Sequence, residues 1–126
     1  MALPLVVQAQ GQLPGANPPH KSSGAAWQVN TAAYNGGTFS VVSQEINPQG
    51  IFFKPDGTRM FVIGNVGDTV VEYDLSTAWQ VNTATYNGAA REFSVAAQET
   101  SPQGIFFKPD GTRMFVIGTA GQAVVE

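Results

Sequence analysis

PQGIFFKPDGTRMFVIG fills residues 48–64 and recurs without a change at residues 102–118. The duplication extends beyond this stretch, since AWQVNTA at residues 26–32 returns at residues 78–84 and the tripeptide YNG follows both copies. An internal repeat of about fifty residues is the feature to interpret first, because it determines the architecture.

The two copies keep one register apart from a short insertion. Gly50 and Gly104 are 54 positions apart, whereas Trp27 and Trp79 are 52 apart. The difference arises because GGTF in the first copy is replaced by GAAREF in the second. Insertions of this kind are tolerated best in surface turns. The chain therefore carries two copies of one structural unit.

Each copy has the pattern of four short strands. GIFFK at residues 50–54 is apolar almost throughout, as expected for a strand buried on both faces. PDGT then predicts a tight hairpin turn, and RMFVIG at residues 59–64 forms the second strand. TVVEYDL at residues 69–75 and FSVAA at residues 93–97 show the alternation of half-exposed strands, with a long connection between them.

Four antiparallel strands repeated about every fifty residues are typical of a β-propeller blade. The absence of 3.6-residue periodicity excludes a helical solenoid, and a parallel β-helix would need shorter coils. We therefore expect an all-β chain with two blades in permuted order. The predicted boundaries are a non-repeat tail or linker at residues 1–24, a two-blade unit at 25–126, strand four at 38–42, a full blade at 49–97, and strands one to three of the second blade at 103–126.

Two blades cannot close a ring, because propellers use four to eight. Exposed apolar blade faces mark an association surface, and repeats related by one rotation close into a cyclic oligomer. The sequence predicts a homotrimer with six blades or a homotetramer with eight, and large aromatic residues favour the narrower ring. The strand at 38–42 would complete a blade of a neighbouring chain, or one at its own C-terminus. The predicted assembly residues are Phe52, Phe53, Phe61, Phe106, Phe107 and Phe115.

The pattern P-x-G-apolar-F-x-x-P-D-G-T-R-M-F-V at residues 48–62 and 102–116 resembles the repeats of bacterial YVTN/NHL-like β-propellers. YDLSTAWQVNTATYNG is similar to a repeat that recurs in long arrays in marine bacterial and phage proteins. The resemblance covers residues 25–126 and implies the fold and the blade boundaries rather than an activity. Such arrays contain many blades, whereas this chain has two, which fits a recent duplication, an engineered or excised propeller fragment, or a short lectin with two blades per chain.

Aromatic and amide side chains in the long connection are the candidate ligand-binding residues. Their rings would stack on sugars; alternatively, the tryptophans pack between blades and Asn-Gly makes a turn. Two glutamines are expected at the channel mouth near Glu45 and Glu99, where they would hold a polar ligand or a cation, or the loop backbone would simply be capped. The candidates are Trp27, Tyr34, Asn35, Trp79, Tyr86, Asn87, Gln49 and Gln103.

Composition argues against several classes of function. A net charge of −3 and only 6 Lys+Arg give no electrostatic footprint for nucleic acid. The chain has no cysteine for a disulfide or a thiolate metal site, and the glycine turn containing Asp68 has Gln122 in its second copy, so no repeated calcium site is expected. The one histidine, His20, lies in the tail and no nucleophile motif is present, so we expect no catalytic residue, no cofactor and no enzyme.

The only apolar run near the start, ALPLVV, is too short to span a membrane and has no preceding basic segment typical of a signal peptide. We therefore expect a soluble protein of undetermined compartment. The function expected from the sequence is a self-assembling structural or binding scaffold whose partner is itself. The alternative is a multivalent carbohydrate-binding lectin, and a third possibility is a hydrolase with a metal in the central channel.

Overall fold

The computed structural model describes residues 26–126, so the predicted tail at residues 1–24 and His20 lie outside the described residues. The chain divides into two units, the first ending at Gly37 and the second spanning Thr38–Glu126. Residues 26–126 contain no α-helix, and every pair of strands in them is antiparallel. The all-β prediction is therefore confirmed. None of the helical turns described is long and apolar enough to cross a membrane.

The first repeat forms a five-stranded antiparallel sheet. Its strands are β1 (Pro48–Phe53), β2 (Arg59–Gly64), β3 (Thr69–Leu75), β4 (Ala84–Tyr86) and β5 (Glu92–Ser94). β1, β2 and β3 pair in sequence order, and both β4 and β5 pair with the outer edge of β3. β2 and β3 have the predicted bounds, whereas β5 is shorter than predicted and β4 was not predicted at all.

The second repeat forms a three-stranded sheet with the same register. Its strands are β6 (Pro102–Phe107), β7 (Met114–Gly118) and β8 (Val124–Val125). Pro48 pairs with Gly64 as Pro102 pairs with Gly118, and both hairpins have an irregularity just after the proline. Identical sequence therefore gives the same hairpin twice.

The turn of each hairpin follows from its Pro-Asp-Gly-Thr sequence. The Asp56 Oδ1 atom accepts hydrogen bonds from the backbone N–H of Thr58 at 2.9 Å and from its hydroxyl at 2.6 Å. Gly57 has a φ of +75°, a conformation that costs glycine little. The hydrogen bonds from Lys54 and Thr58 lower the pKa of Asp56. The predicted tight turn is confirmed.

One face of the first sheet packs on the second sheet. Ile63 and Val70 form a buried cluster with Val95 and Val116. Phenylalanine rings extend this contact, with centroids 5.4 Å apart for Phe52–Phe106, 5.3 Å for Phe52–Phe107 and 4.5 Å for Phe61–Phe107. The backbones of β1 and β6 also approach closely, because a Cβ atom on Gly50 would lie 3.0 Å from the Cα of Gly104.

The opposite face of the first sheet is covered partly by the residues that precede β1. Phe39 and Val41 pack against the cluster that contains Met60, Val62 and Tyr73. Residues 38–42 form no strand in the single chain, so their pairing with another sheet edge stays a prediction. The turn that follows them is well defined, because the carbonyl of Val41 accepts hydrogen bonds from the N–H groups of Gln44 and Glu45, both at 2.9 Å.

The expectation that β1 is buried on both faces is wrong for the single chain. Ile51 is exposed, and Phe52 and Phe53 are only half-buried. The reason is that β1 is the edge strand of its sheet. Phe39 and Val41 cover only part of the outer face and leave Ile51 exposed.

Candidate functional site

The two sheets differ most in the exposure of one apolar face. Ile63 and Val70 are 0% and 5% exposed, because they pack on the second sheet. Their copies, Ile117 and Val124, occupy the same positions of the second sheet and are 51% and 64% exposed. This exposed face is therefore the copy of a face that is buried in the first sheet, with the same residues in the same register.

The first sheet exposes the complementary face. Ile51 is exposed, whereas its copy Ile105 is partly buried in the contact between the two sheets. Beside Ile51 lies a groove of about 350 Å³ lined also by Phe39, Val41 and Met60. The chain therefore exposes, at its two opposite sheet faces, both halves of the contact that it makes internally.

The outer edge of β8 differs from the outer edge of β3. Val70 in β3 pairs with Phe93 in β5, and the Val95 N–H donates to the carbonyl of Asp68 at 2.7 Å. β8 pairs with β7 on one side only, and no strand of residues 26–126 pairs with its other edge. Unpaired edges of this kind favour the addition of another strand.

The two hairpin turns also differ in what covers them. A Cβ atom on Gly57 would overlap with the indole of Trp79, and the backbone N–H of Trp79 donates to the Gly57 carbonyl at 2.9 Å. Trp79 also contacts Phe53, with ring centroids 5.6 Å apart. Gly111 has the same φ of +75°, but no atom lies within 4 Å of a Cβ built there. This contact could not be predicted from the local sequence, because Trp79 is 22 positions from Gly57.

The candidate ligand-binding residues of the second copy have structural contacts. Trp79 covers the hairpin turn, and the Tyr86 hydroxyl donates to Glu92 Oε1 at 2.6 Å, which raises the pKa of Tyr86. Asn87 Nδ2 is buried and makes no hydrogen bond with the described residues. Trp79 therefore packs on its own sheet rather than between two sheets in the described residues, and ligand binding by this set stays a prediction.

The first-copy candidates are arranged differently. Trp27 and Tyr34 are both exposed, and Asn35 Oδ1 accepts a hydrogen bond from the Gly37 N–H at 2.9 Å. Gln49 is exposed and donates to Asn47 Oδ1 at 2.9 Å, whereas Gln103 is half-buried. The two copies of each candidate therefore have different surroundings in one chain.

The predicted assembly residues lie largely between the two sheets of one chain. Phe107 contacts both Phe52 and Phe61 there, and Phe53 packs against Trp79. Phe106 is exposed although it touches Phe52, and Phe115 is half-buried beside it at the second open face. Phe106 and Phe115 are thus the members of the set that border the open face of the second sheet.

Two buried carboxylates fix the loops that precede the first strand of each sheet. Glu45 and Glu99 are each 2% exposed. Glu45 accepts hydrogen bonds from the N–H groups of Asn47 at 2.7 Å and Gly67 at 2.9 Å. Glu99 accepts three, from Ser101, Ala120 and Gly121. The capping interpretation is therefore the one that the geometry supports.

Glu99 should make the fold sensitive to acid. The backbone N–H of Gly121, together with those of Ser101 and Ala120, lowers the pKa of Glu99 below its ordinary value of 4.5 despite burial. A lowered folded-state pKa adds stability that is present above pH 4.5 and is lost as the pH falls through the folded value. Urea unfolding between pH 6 and pH 2 should show this loss, and the Glu99→Gln variant should have a flatter profile below about pH 4.5. The exposed Glu126→Gln variant is the matched control and should keep the original slope.

Residues 26–126 contain no group of three or more His, Asp or Glu side chains placed to bind one metal ion. Comparison with protein-family models and with curated protein sequences finds no match to this chain. The open surfaces described above are the candidate functional site: the two sheet faces, the edge of β8 and the turn at Gly111.

Proposed function

We propose that this chain is a self-assembling scaffold, in which copies associate head to tail and close into a β-propeller of six or eight blades. The observation that carries the proposal is the exposure of Ile117 and Val124, whose copies Ile63 and Val70 are buried between the sheets. An assembly that removes such apolar surface from water is stabilised by the burial.

The two open faces determine how copies would associate. The face with Ile117 and Val124 would fit the face with Ile51, because their copies Ile63, Val70 and Ile105 meet in the contact within one chain. By the same relation, Phe106 would pack on Phe52 of the next copy. Contacts between different faces are heterologous and close into rings when the rotation permits.

The edge of β8 would be completed in the same association. Residues 38–40 are the copies of residues 92–94 in β5, and Ala123–Val125 are the copies of the β3 residues that pair with them. The next chain would therefore add its residues 38–40 as an outer strand. The packing of Phe39 and Val41 on the face of their own first sheet supports this placement.

The native mass of the purified chain tests the proposal. Native mass spectrometry and light scattering should both give a single closed species, a homotrimer with six blades or a homotetramer with eight. Dilution should leave this species intact until it dissociates into chains, because a closed ring has no free edge. A folded chain that remains monomeric at high concentration would contradict the proposal.

A carbohydrate-binding lectin is the second candidate, and the exposure of Trp27 and Tyr34 favours it. Exposed aromatic rings can stack on apolar sugar faces. The test is a glycan array with the parent chain and the Trp27→Ala and Trp79→Ala variants. Binding that both substitutions abolish, with the assembly retained, would support the lectin. An array without signal would leave the scaffold as the better proposal.

A further inference from the structure

The segment at residues 26–37 has the backbone conformation of its copy in the first sheet. Trp27 and Trp79 have φ values of 61° and 66°, and Gly36 and Gly88 both have a φ of 87°. The 3-10 turns Val29–Thr31 and Val81–Thr83 have the same hydrogen bonds, with the threonine N–H 3.0 Å from the carbonyl of the preceding glutamine in both. The segment and its copy therefore share one local backbone shape.

The copy at residues 78–88 has a defined place on the first sheet. Trp79 covers Gly57, and Val81 and Tyr86 pack against the core cluster that includes Met60 and Val62. Gly57 is buried as a result. This contact requires glycine, because any Cβ at position 57 would overlap with the indole.

The corresponding surface of the second sheet is uncovered in the described residues. Gly111 is exposed with nothing within 4 Å of its Cβ position. Beside it is a groove of about 460 Å³ whose lining includes Met114, Val116 and Val125. The first two are copies of Met60 and Val62, and Val125 is the copy of Val71 in the same core cluster.

We propose that residues 26–37 of a second copy occupy this place, with Trp27 on Gly111 and with Val29 and Tyr34 in the groove. The inference rests on the proposed self-assembly and assigns its recognition element. Val29 and Tyr34 are the copies of Val81 and Tyr86, and both are exposed. The occupant is a second copy of this chain, because Trp79 already covers Gly57. Trp27 and Gly111 are the copies of these two residues, and both are exposed.

This contact would select the correct partner. Burial of a tryptophan at an interface commonly accounts for much of the binding energy. The turn has room for the Trp27 side chain only when residue 111 is glycine, because a larger residue would fill the same space. Trp27 is therefore a residue that recognises another chain, and its exposure is a property of the unassembled chain.

The experiment is to compare Gly111→Asn with Gly57→Asn. Asparagine tolerates a positive φ better than other non-glycine residues, so Gly111→Asn should leave the single chain folded. Its side chain would occupy the space of Trp27, and the dissociation constant for assembly should rise at least 10-fold, as expected for loss of a tryptophan contact. Gly57→Asn should instead displace Trp79 and lower the urea midpoint of the chain itself.

A second variant keeps the test independent of the turn. Trp27→Ala removes an exposed side chain, so folding should be unchanged and assembly should weaken by a similar factor. In Trp79→Phe, the fluorescence of the remaining Trp27 should shift to shorter wavelength as the oligomer forms with rising concentration. If the ring forms and these variants neither weaken it nor change Trp27 fluorescence, the assignment of Trp27 to Gly111 is wrong while the scaffold stands. If the parent chain never assembles, the proposed function itself is wrong.

Discussion

Gly64→Ala should destabilise the fold by about 3 kcal/mol, the upper end of the usual cost of overpacking a core. A Cβ at Gly64 would overlap with Cγ and Cδ of Glu45 and would lie 2.5 Å from the backbone carbonyl oxygen of Asn47. Neither neighbour can move freely, because Glu45 is buried and bound to two backbone N–H groups. Equilibrium urea unfolding at fixed protein concentration measures the effect.

Gly67→Ala is the matched control for that prediction. Gly67 donates to the same Glu45 carboxylate, but a Cβ there would meet its nearest atom, Oε2 of Glu45, only at 3.3 Å. We expect a loss within about 1 kcal/mol, close to the average effect of a point substitution. Similar losses for both variants would show that the space around Gly64 is not what limits that position.

The double variant Ser40→Cys/Ala123→Cys should convert the chain almost completely into covalent oligomers under mild oxidation. In the first sheet, the bond from Val95 N–H to Asp68 makes the next pair, Thr69 with Ser94, a non-hydrogen-bonded pair. Side chains of such pairs are the closest in antiparallel sheets, at a Cα separation of about 4.5 Å that a disulfide can bridge. Ser40 and Ala123 are the copies of Ser94 and Thr69.

Non-reducing gel electrophoresis reads the result directly, because the parent chain has no cysteine. Thr69→Cys/Ser94→Cys should form the disulfide within one chain and migrate as a monomer. Each single-cysteine variant should give no ladder of oligomers. An internal disulfide in Ser40→Cys/Ala123→Cys would show that the chain pairs with its own edge, which would overturn the proposed exchange between copies.

Local sequence was sufficient for the strands whose partners are close in the chain. β2 and β3 were predicted with their observed bounds, because apolar runs separated by Pro-Asp-Gly and glycine-rich turns define hairpins without tertiary information. β4 was missed because ATY has no alternation to distinguish it from a loop. It becomes a strand only by pairing with the far end of β3, where Leu75 meets Ala84.

The candidate site could be predicted only in part. The repeat arithmetic predicted that two units would leave apolar faces uncovered, and Ile117 and Val124 are exposed. It did not identify which faces, since Ile63 and Ile117 are the same residue in the same local sequence. The cover of Gly57 by Trp79 was also out of reach, because it depends on how a long connection crosses the sheet. Burial that depends on tertiary neighbours cannot be read from a local pattern.

The turn after residues 38–42 has a consequence for the rate and cooperativity of assembly. The carbonyl of Val41 accepts two hydrogen bonds at 2.9 Å, as does that of Val95 in the other copy, so the segment that would dock is already shaped. Little conformational entropy remains to be lost on docking. The association rate constant should therefore be about 10⁵–10⁷ M⁻¹s⁻¹, the usual range for rigid partners. The last contact of a ring forms within one complex at high effective concentration, so open dimers should be scarce at equilibrium.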